Sequence, residues 1–237
     1  DTPSLQQFIL ENPLGYLITA LPGQAHPIQV TPIPFILDQI ENAEKGQEAM
    51  PLGRLRSHMA RRNPHAQALL HSLHPLQTNE DSSKPHAEKI TGEANNDQDP
   101  GSYVSPSFYT HRKPLDGRVV PTWDFSAVEV HGLLSMSSSL AFLKQQTKDL
   151  TNHCEGSLME SPEEERWKVD DAPQAFMELL ARRIVGVEIE ITGIEGKAKL
   201  GQEVMLGDQV GMVRAFGGME MEGGRAVAGQ IRACMKK

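Results

Sequence analysis

Cysteine is scarce in this chain, and the two that occur, Cys154 and Cys234, lie far apart without a partner motif. This spacing excludes a Cys-x-x-Cys site and favours a reduced, intracellular compartment, so we expect a cytoplasmic protein. Long apolar runs are also missing, since no stretch approaches the ~18 apolar residues that span a bilayer. No signal peptide is visible, but the chain opens at Asp1 rather than Met, and we expect a leading segment to be missing.

Basic charge is in deficit, with 23 Lys and Arg against 31 Asp and Glu and a formal net charge of -8. A surface of this sign repels DNA phosphates in general, so nucleic-acid binding would need a local basic patch. The sequence also contains no recognisable helix-turn-helix. Charge therefore does not support a DNA-binding protein.

The sequence motifs of several common enzyme classes are absent. There is no Gly-x-Ser-x-Gly, no His-Glu-x-x-His, and no Gly-x-Gly-x-x-Gly after a predicted strand. His71 and His74 are three positions apart, but no carboxylate or cysteine set completes a metal site, and solvated histidines are the preferred interpretation. We therefore predict no metal site and assign no catalytic residue.

The residues that are present form an α+β pattern in which strands and helices do not alternate regularly. Hydrophobic residues make up 38% of the chain, below the usual ~45–50%, which indicates much surface loop. Predicted strands cover residues 15–21, 28–37, 52–59, 103–109, 118–122, 127–136 and 187–191. Predicted helices cover residues 5–11, 60–73, 137–153 and 171–183, with two short helices from residue 208. Antiparallel strands with peripheral helices indicate a barrel core rather than a doubly wound sheet.

Residues 74–101 differ in kind from the rest, because they are rich in Asn, Asp, Ser, Lys and Glu and poor in large apolar side chains. This composition predicts a mobile insertion that the fold does not require, with at most a weak strand near Ile90. We expect the whole chain, residues 1–237, to form a single domain that carries this insertion and ends in a helical extension from about residue 207.

A basic segment joins the third predicted strand to the helix that follows it. Residues 54–64, RLRSHMARRNP, contain four arginines and no acid, and strand alternation would place Arg54, Arg56 and His58 on one face. Arginines bind phosphate bidentately, and amides at a helix N-terminus add partial positive charge, so one interpretation is a pocket for a phosphorylated ligand. The other is a solvated basic face that is salt-bridged to the acidic remainder of the chain.

Hydroxyl and aromatic side chains are grouped in residues 103–109, YVSPSFY, and 119–123, VVPTW. Such a group could line a flat ring with polar edges, for example an isoalloxazine. The alternative is a half-buried pair of strands with aromatic cross-strand contacts.

Six motifs, taken in order, resemble those of the PaiB-like family of FMN-binding split-barrel proteins, some bacterial members of which are called negative transcriptional regulators. They are ENPLG at 11–15, HMARRNP at 58–64, YVSPSFY at 103–109, GRVVPTWD at 117–124, WKVDDAP at 167–173 and IVGVEIEI at 184–191. The resemblance implies a six-stranded antiparallel split barrel with peripheral helices, a homodimer, and FMN bound near the dimer interface. The sequence departs from the family where the polar insertion replaces an apolar strand, and where the usual Lys-Leu-Ser-Gln has Gly201 in place of serine.

With this resemblance, the two candidate segments become candidate FMN contacts. The phosphate is expected to meet Arg54, Ser57, His58, Arg61 and Arg62. The ring and ribityl chain are expected to meet Tyr103, Ser105, Ser107, Thr122 and Trp123, with Lys199 and Gln202 added from the Lys-Leu-Gly-Gln motif. The implied function is a flavoprotein, with a flavin-dependent oxidoreductase as one form of it; the alternatives are a transcriptional regulator and a ligand-free dimer module.

Overall fold

The computed structural model describes residues 1–22, 24–39, 52–73, 87–88, 102–159, 161–219 and 222–235. The predicted mobile insertion, residues 74–101, lies outside the described residues except for 87–88. Contacts divide the chain into a first unit, residues 1–94 with 128–195, and a second unit, residues 95–127 with 196–237. The single domain stays a prediction.

The described chain contains both helices and strands. The helices are α1 Thr2–Glu11, α2 Pro64–Leu73, α3 Arg112–Asp116, α4 Leu140–Ser157, α5 Gln174–Ala181, α6 Leu206–Gly217 and α7 Glu222–Cys234. The strands are β1 Leu14–Ala20, β2 Ile28–Pro34, β3 Ile36–Asp38, β4 Arg54–Ala60, β5 Ala87–Glu88, β6 Ser102–Val104, β7 Thr122–Ser137 and β8 Ile184–Lys199. None of the helices in the described ranges has the length and apolar character needed to cross a membrane.

All the strand pairs with a defined register are antiparallel. Strand β1 pairs with β2, and a second sheet has the order β3-β4-β8-β7-β5, with β6 also paired to β7. The α+β class with antiparallel sheets is therefore confirmed. The single six-stranded barrel is not confirmed, because the described strands form two separate sheets.

In the first unit, strand alternation separates a buried face from a polar one, and β4 shows this most clearly. Its Leu55, Ser57 and Met59 side chains are buried, whereas Arg54 is exposed on the opposite face. The buried face belongs to a core that also contains Leu17. The charged face of β4 is thus fixed by the period of the strand, as predicted.

The second unit corrects two predicted strands. Residues 103–109 form a strand only up to Val104 and then a short 3-10 helix, Pro106–Phe108. The Ser105 hydroxyl caps this turn by accepting a hydrogen bond from the Ser107 amide at 3.2 Å, and Pro106 has the φ angle that suits a first helical position. Residues 118–121 are not a strand, and β7 begins only at Thr122, directly after Pro121.

A third correction concerns the start of α5 in the first unit. The predicted helix at 171–183 begins at Gln174, and Asp171 instead ends a 3-10 turn. Its carboxylate accepts a hydrogen bond from the Lys168 amide at 2.8 Å. Asp171 therefore stabilises the turn before Pro173 rather than the N-terminus of the helix.

Candidate functional site

The predicted basic segment divides into paired and unpaired arginines. Arg54 lies 3.1 Å from Asp38 Oδ2 and 3.0 Å from Glu188 Oε2. Arg56 lies 2.6 Å from Asp38 Oδ2 and 2.9 Å from Asp149 Oδ2. Partial burial would raise the pKa of Asp38, but the hydrogen bonds and charges of Arg56 and Arg54 outweigh it and hold that pKa below its usual range. The salt-bridged interpretation therefore holds for Arg54 and Arg56.

Arg61 and Arg62 follow directly after β4 and have different surroundings. The Arg61 guanidinium donates a hydrogen bond to Ser138 Oγ at 2.8 Å, and Arg62 is exposed. Neither has a carboxylate partner among the described residues. Asn63 Oδ1 accepts a hydrogen bond from the His65 amide at 2.9 Å, at the start of α2. Two cations and a hydroxyl thus lie at a helix start, a donor set that suits a phosphate.

Ser57 and His58 lie on opposite faces of β4. Ser57 is fully buried, and its hydroxyl donates to the Pro34 carbonyl at 2.6 Å. His58 Nδ1 lies 2.7 Å from Gln146 Oε1 of α4. Burial lowers the pKa of His58, although the hydrogen bond to Gln146 partly opposes this. Ser57 therefore acts in the core, whereas His58 faces α4.

A cleft of about 770 Å³ lies in the first unit beside His58. Its walls come from α4, from α5 and the turn before it, and from the adjoining ends of β4 and β8. The lining includes Ala60, Leu180 and Ile184 together with the charged Lys148 and Arg183. This volume is within the ~300–1,000 Å³ range of small-molecule sites.

In the second unit, the strand pair β6–β7 places Tyr103 opposite Trp123. Their rings meet edge to face, with centroids 5.6 Å apart, and both remain about half exposed. The hydroxyls of Ser105 and Ser107 lie 2.8 Å apart. The predicted cross-strand aromatic contact therefore exists, and it leaves aromatic surface and hydroxyls open to a ligand.

The rest of the predicted ring-side set lies in the same unit as a buried carboxylate, that of Asp124. The Lys199 ammonium donates a hydrogen bond to Thr122 Oγ1. Gln202 Oε1 accepts from the Leu200 amide at 2.7 Å, across a turn in which Gly201 has a φ of 67°. A left-handed φ favours glycine, which gives a physical reason for glycine where the family has serine.

Asp124 is the residue in this region that sequence reasoning missed. It is only 1% exposed, and neither carboxylate oxygen accepts a well-formed hydrogen bond from the described residues, although the Gly201 amide lies near enough to interact with it. Burial raises its pKa to about 6, and the charge of Lys199 and the backbone N–H of Gly201 only partly oppose the shift. The sequence signal was an acid inside a strand, but only tertiary contacts show that it is buried.

Gln146 is a second residue that sequence reasoning missed. It is fully buried on α4 between Leu143 and Leu150, on the apolar face of that helix. A polar side chain at a core position of an amphipathic helix was the available signal. Among the described residues, its Nε2 has no hydrogen-bond partner.

The predicted FMN contacts thus fall into two groups, one in each unit. Arg54, Ser57, His58, Arg61 and Arg62 belong to the first unit. Tyr103, Ser105, Ser107, Thr122, Trp123, Lys199 and Gln202 belong to the second unit. Within the first group, only Arg61 and Arg62 combine charge with freedom from carboxylate partners among the described residues.

Comparison with known proteins identifies the family of this chain. Residues 1–193 match the family model described as "Putative FMN-binding domain". The uncharacterized protein AN0679 of Emericella nidulans is 36% identical over 237 residues, covering 96% of this chain and 91% of the relative. An uncharacterized protein of Aspergillus fumigatus, AFUA_5G13800, is 36% identical over 246 residues, covering 97% and 92%. Among solved structures, the flavocytochrome Anf3 from Azotobacter vinelandii is similar with a TM-score of 0.44 and 14% identity, over 84% of this chain and 67% of that one.

Proposed function

This chain belongs to the FMN-binding domain family and has FMN as its cofactor, and from this premise we propose that it is a flavin-dependent oxidoreductase acting as a PaiB-like split-barrel homodimer. When bound, FMN supplies the electron-transfer chemistry. The chain's own residues then have to hold the phosphate, orient the ring and exclude water.

The proposed phosphate contacts are Arg61 and Arg62, and one observation carries this choice. The Arg61 guanidinium donates to the Ser138 hydroxyl at 2.8 Å and to no carboxylate of the described residues. An arginine whose charge is not neutralised has more to gain from a dianionic phosphate than Arg54, which already pairs with Asp38 and Glu188. Ser57 is not among the proposed contacts because its side chain is fully buried.

The proposed ring and ribityl contacts all lie in the second unit. Trp123 and Tyr103 offer half-exposed aromatic surface, against which a flat ring can stack. The remaining contacts are polar: Ser105, Ser107, Thr122, Lys199 and Gln202. Lys199 and Thr122 are already joined by a hydrogen bond, which would hold the ammonium in a fixed position for a polar ring edge.

The experiment compares FMN with riboflavin, which lacks the phosphate. Flavin binding is titrated by fluorescence quenching against the wild type, Arg61→Ala and Arg62→Ala. Charge-assisted hydrogen bonds are worth about 1.5–3 kcal/mol each, so each substitution should weaken FMN by roughly ten- to a hundredfold and leave riboflavin almost unchanged. Arg54→Ala is the matched control, since it removes an arginine from the same segment whose charge is already paired.

Each alternative result has a distinct meaning. Equal losses for FMN and riboflavin would mean that the arginines act on folding. No loss for either would place the phosphate elsewhere, with Arg112, Lys113 and Lys199 as the next candidates. An FMN-specific loss in Arg54→Ala would restore Arg54 to the phosphate set. For the redox function, a nicotinamide reductant should bleach the bound flavin, and air should restore its colour.

The proposed location is the cytoplasm, because both Cys154 and Cys234 are free thiols and a reducing compartment keeps thiols free. A transcriptional role is the second candidate by family resemblance, and the net charge of -8 gives it no support. A ligand-free dimer module is the third candidate. Retention of FMN through gel filtration excludes the third, and salt-dependent retardation of DNA would revive the second.

A further inference from the structure

The cleft beside His58 is built mainly from residues outside the proposed FMN contacts. Arg61 and Arg62 do not line it, and His58 is the one member of the predicted set that does. Its walls include apolar side chains from three elements: Ala141 of α4, Met177 and Leu180 of α5, and Ile184 of β8. Such walls favour a ligand with a substantial apolar part.

His58 lines this cleft, and one of its two ring nitrogens has a defined partner. Gln146 Oε1 is an acceptor 2.7 Å from Nδ1, so Nδ1 carries the proton and Nε2 is left with its lone pair. Gln146 is itself fully buried on α4, so its amide holds the imidazole in a fixed position. Burial also lowers the pKa of His58, which favours the neutral ring. Nε2 is therefore an acceptor with no partner among the described residues.

The charged residues of the cleft leave one cation without a partner. Lys148 Nζ lies 3.1 Å from Asp170 Oδ2, and Lys144 Nζ lies 3.4 Å from Glu178 Oε1. Arg183 also lines the cleft and is exposed, and no carboxylate of the described residues pairs with it. The cleft thus carries a net positive charge at Arg183 beside apolar walls.

We propose that this cleft binds an amphipathic organic anion other than FMN, whose anionic group meets Arg183 and whose N–H or O–H group donates a hydrogen bond to Nε2 of His58. The three features of the ligand follow from three features of the cleft. Apolar walls select the hydrophobic body, the unpaired guanidinium selects the anion, and the unprotonated nitrogen selects the donor. The site is a property of the first unit and does not depend on FMN being bound.

Three fluorescent probes separate these requirements. Anilinonaphthalene sulfonate has the apolar body, the anion and an N–H; N-phenylnaphthylamine lacks the anion; the N-methyl derivative of the sulfonate lacks the donor. Their dissociation constants are measured with the full chain, first without flavin. Arg183→Ala should weaken the sulfonate by about ten- to a hundredfold and leave the neutral amine unchanged. Arg182→Ala is the matched control, because the adjacent Arg182 is exposed and does not line the cleft.

The donor requirement is tested at His58. The wild type should prefer the N–H probe over its N-methyl derivative by about two- to tenfold, and His58→Leu should abolish that preference. His58→Gln keeps an acceptor and should retain part of it. The N–H preference of the wild type is itself a test, so the proposal can be judged even if a His58 variant does not fold.

Several results would overturn the proposal. One is an equal loss of sulfonate binding in Arg183→Ala and Arg182→Ala. Another is an N–H preference that survives in His58→Leu. A third is stoichiometric displacement of the probe by added FMN, which would make the cleft the FMN site itself. Because the first measurements contain no flavin, a failure of FMN binding is seen separately and leaves their outcome unchanged.

Discussion

His65 Nε2 and the hydroxyl of Thr19 lie 2.8 Å apart in the interior of the first unit, where both side chains are almost completely buried. The other ring nitrogen, Nδ1, lies 2.9 Å from the hydroxyl of Thr31. A neutral imidazole has one N–H and one acceptor nitrogen, so one threonine accepts and the other donates. Because His65 lies in the first turn of α2 while the threonines belong to β1 and β2, this pair of hydrogen bonds fixes the helix on the two-stranded sheet.

Thr19→Val should destabilise the chain, because it leaves a fully buried ring nitrogen without its partner. An unsatisfied buried polar group costs about 1–3 kcal/mol, and chemical denaturation at neutral pH should show a loss of that size. Thr192→Val in β8 is the control, since Thr192 is an exposed strand residue. Equal effects of the two substitutions would show that the loss is not due to the hydrogen bond to His65.

Asp124→Asn should stabilise the chain at neutral pH. The pKa of Asp124 is raised from an ordinary 3.8 to about 6 by burial, so the folded chain holds a proton that the unfolded chain releases between these values. The free energy of unfolding contributed by this group therefore falls as pH rises through that window. Asparagine carries no charge, so the substitution removes the cost of burying an ionised carboxylate. The free energy of unfolding should rise by on the order of 2–3 kcal/mol above this pH window and should not change below it. A melting temperature that does not change at neutral pH would contradict the burial of a charged carboxylate.

His65 gives the opposite pH dependence in an overlapping window. Burial lowers its pKa from 6.5 to about 4. Between these two pH values the unfolded chain therefore binds a proton at His65 and the folded chain does not. The stability that neutral His65 contributes is therefore fully present above pH 6.5 and is lost as the pH falls toward about 4. In the wild type the slopes from His65 and Asp124 partly cancel. Asp124→Asn should reveal a steeper rise of stability with pH, which a series of denaturation curves across the window would detect.

Gly201→Ala should destabilise the chain, and Gly201→Ser should do so less. A residue with a side chain at position 201 would have to keep a φ of +67°, and this left-handed conformation costs about 1–2 kcal/mol for an ordinary residue. Its Cβ would also lie 3.0 Å from Met212 Sδ. The same Cβ would lie 3.8 Å from Asp124 Oδ2, so a serine hydroxyl could donate to this carboxylate and offset part of the cost. Gly229→Ala is the control. Gly229 is a helical glycine with open space around its Cβ position, and the change should stabilise by about 0.5–1 kcal/mol.

The chain should be a homodimer in solution. Strand β2 pairs only with β1 among the described residues, and it exposes Ile28 by 67% and Val30 by 54%, an apolar strand surface that a second copy could cover. An obligate interface buries more than about 2,000 Å² in total. Light scattering over a concentration series should give twice the protomer mass of 26.1 kDa. A particle of protomer mass at micromolar concentration would refute the dimer.

Much of the local structure could be predicted from the sequence because it depends on near neighbours. Strand alternation placed Arg54, Arg56 and His58 on one face of β4. Asn12 and Pro13 ended α1 where expected, since the residue before a proline avoids the helical region. The errors arose where proline and turn chemistry override strand composition, as at Ser105 and Pro106, where a predicted strand gives way to a 3-10 helix.

The sequence by itself determined the α+β class, the positions of most elements and, through motif order, the family. It could not determine which arginines are free, because pairing depends on distant residues: Arg56 meets Asp149 of α4, 93 positions away. Nor could it reveal that Asp124 is buried or that Gln146 orients His58, since a polar residue in a strand or helix has the same local pattern whether its neighbours are water or core. Periodicity fixes which face a side chain occupies, whereas only the packing of elements decides what that face meets, and the free energies of charge pairing and burial depend on what it meets.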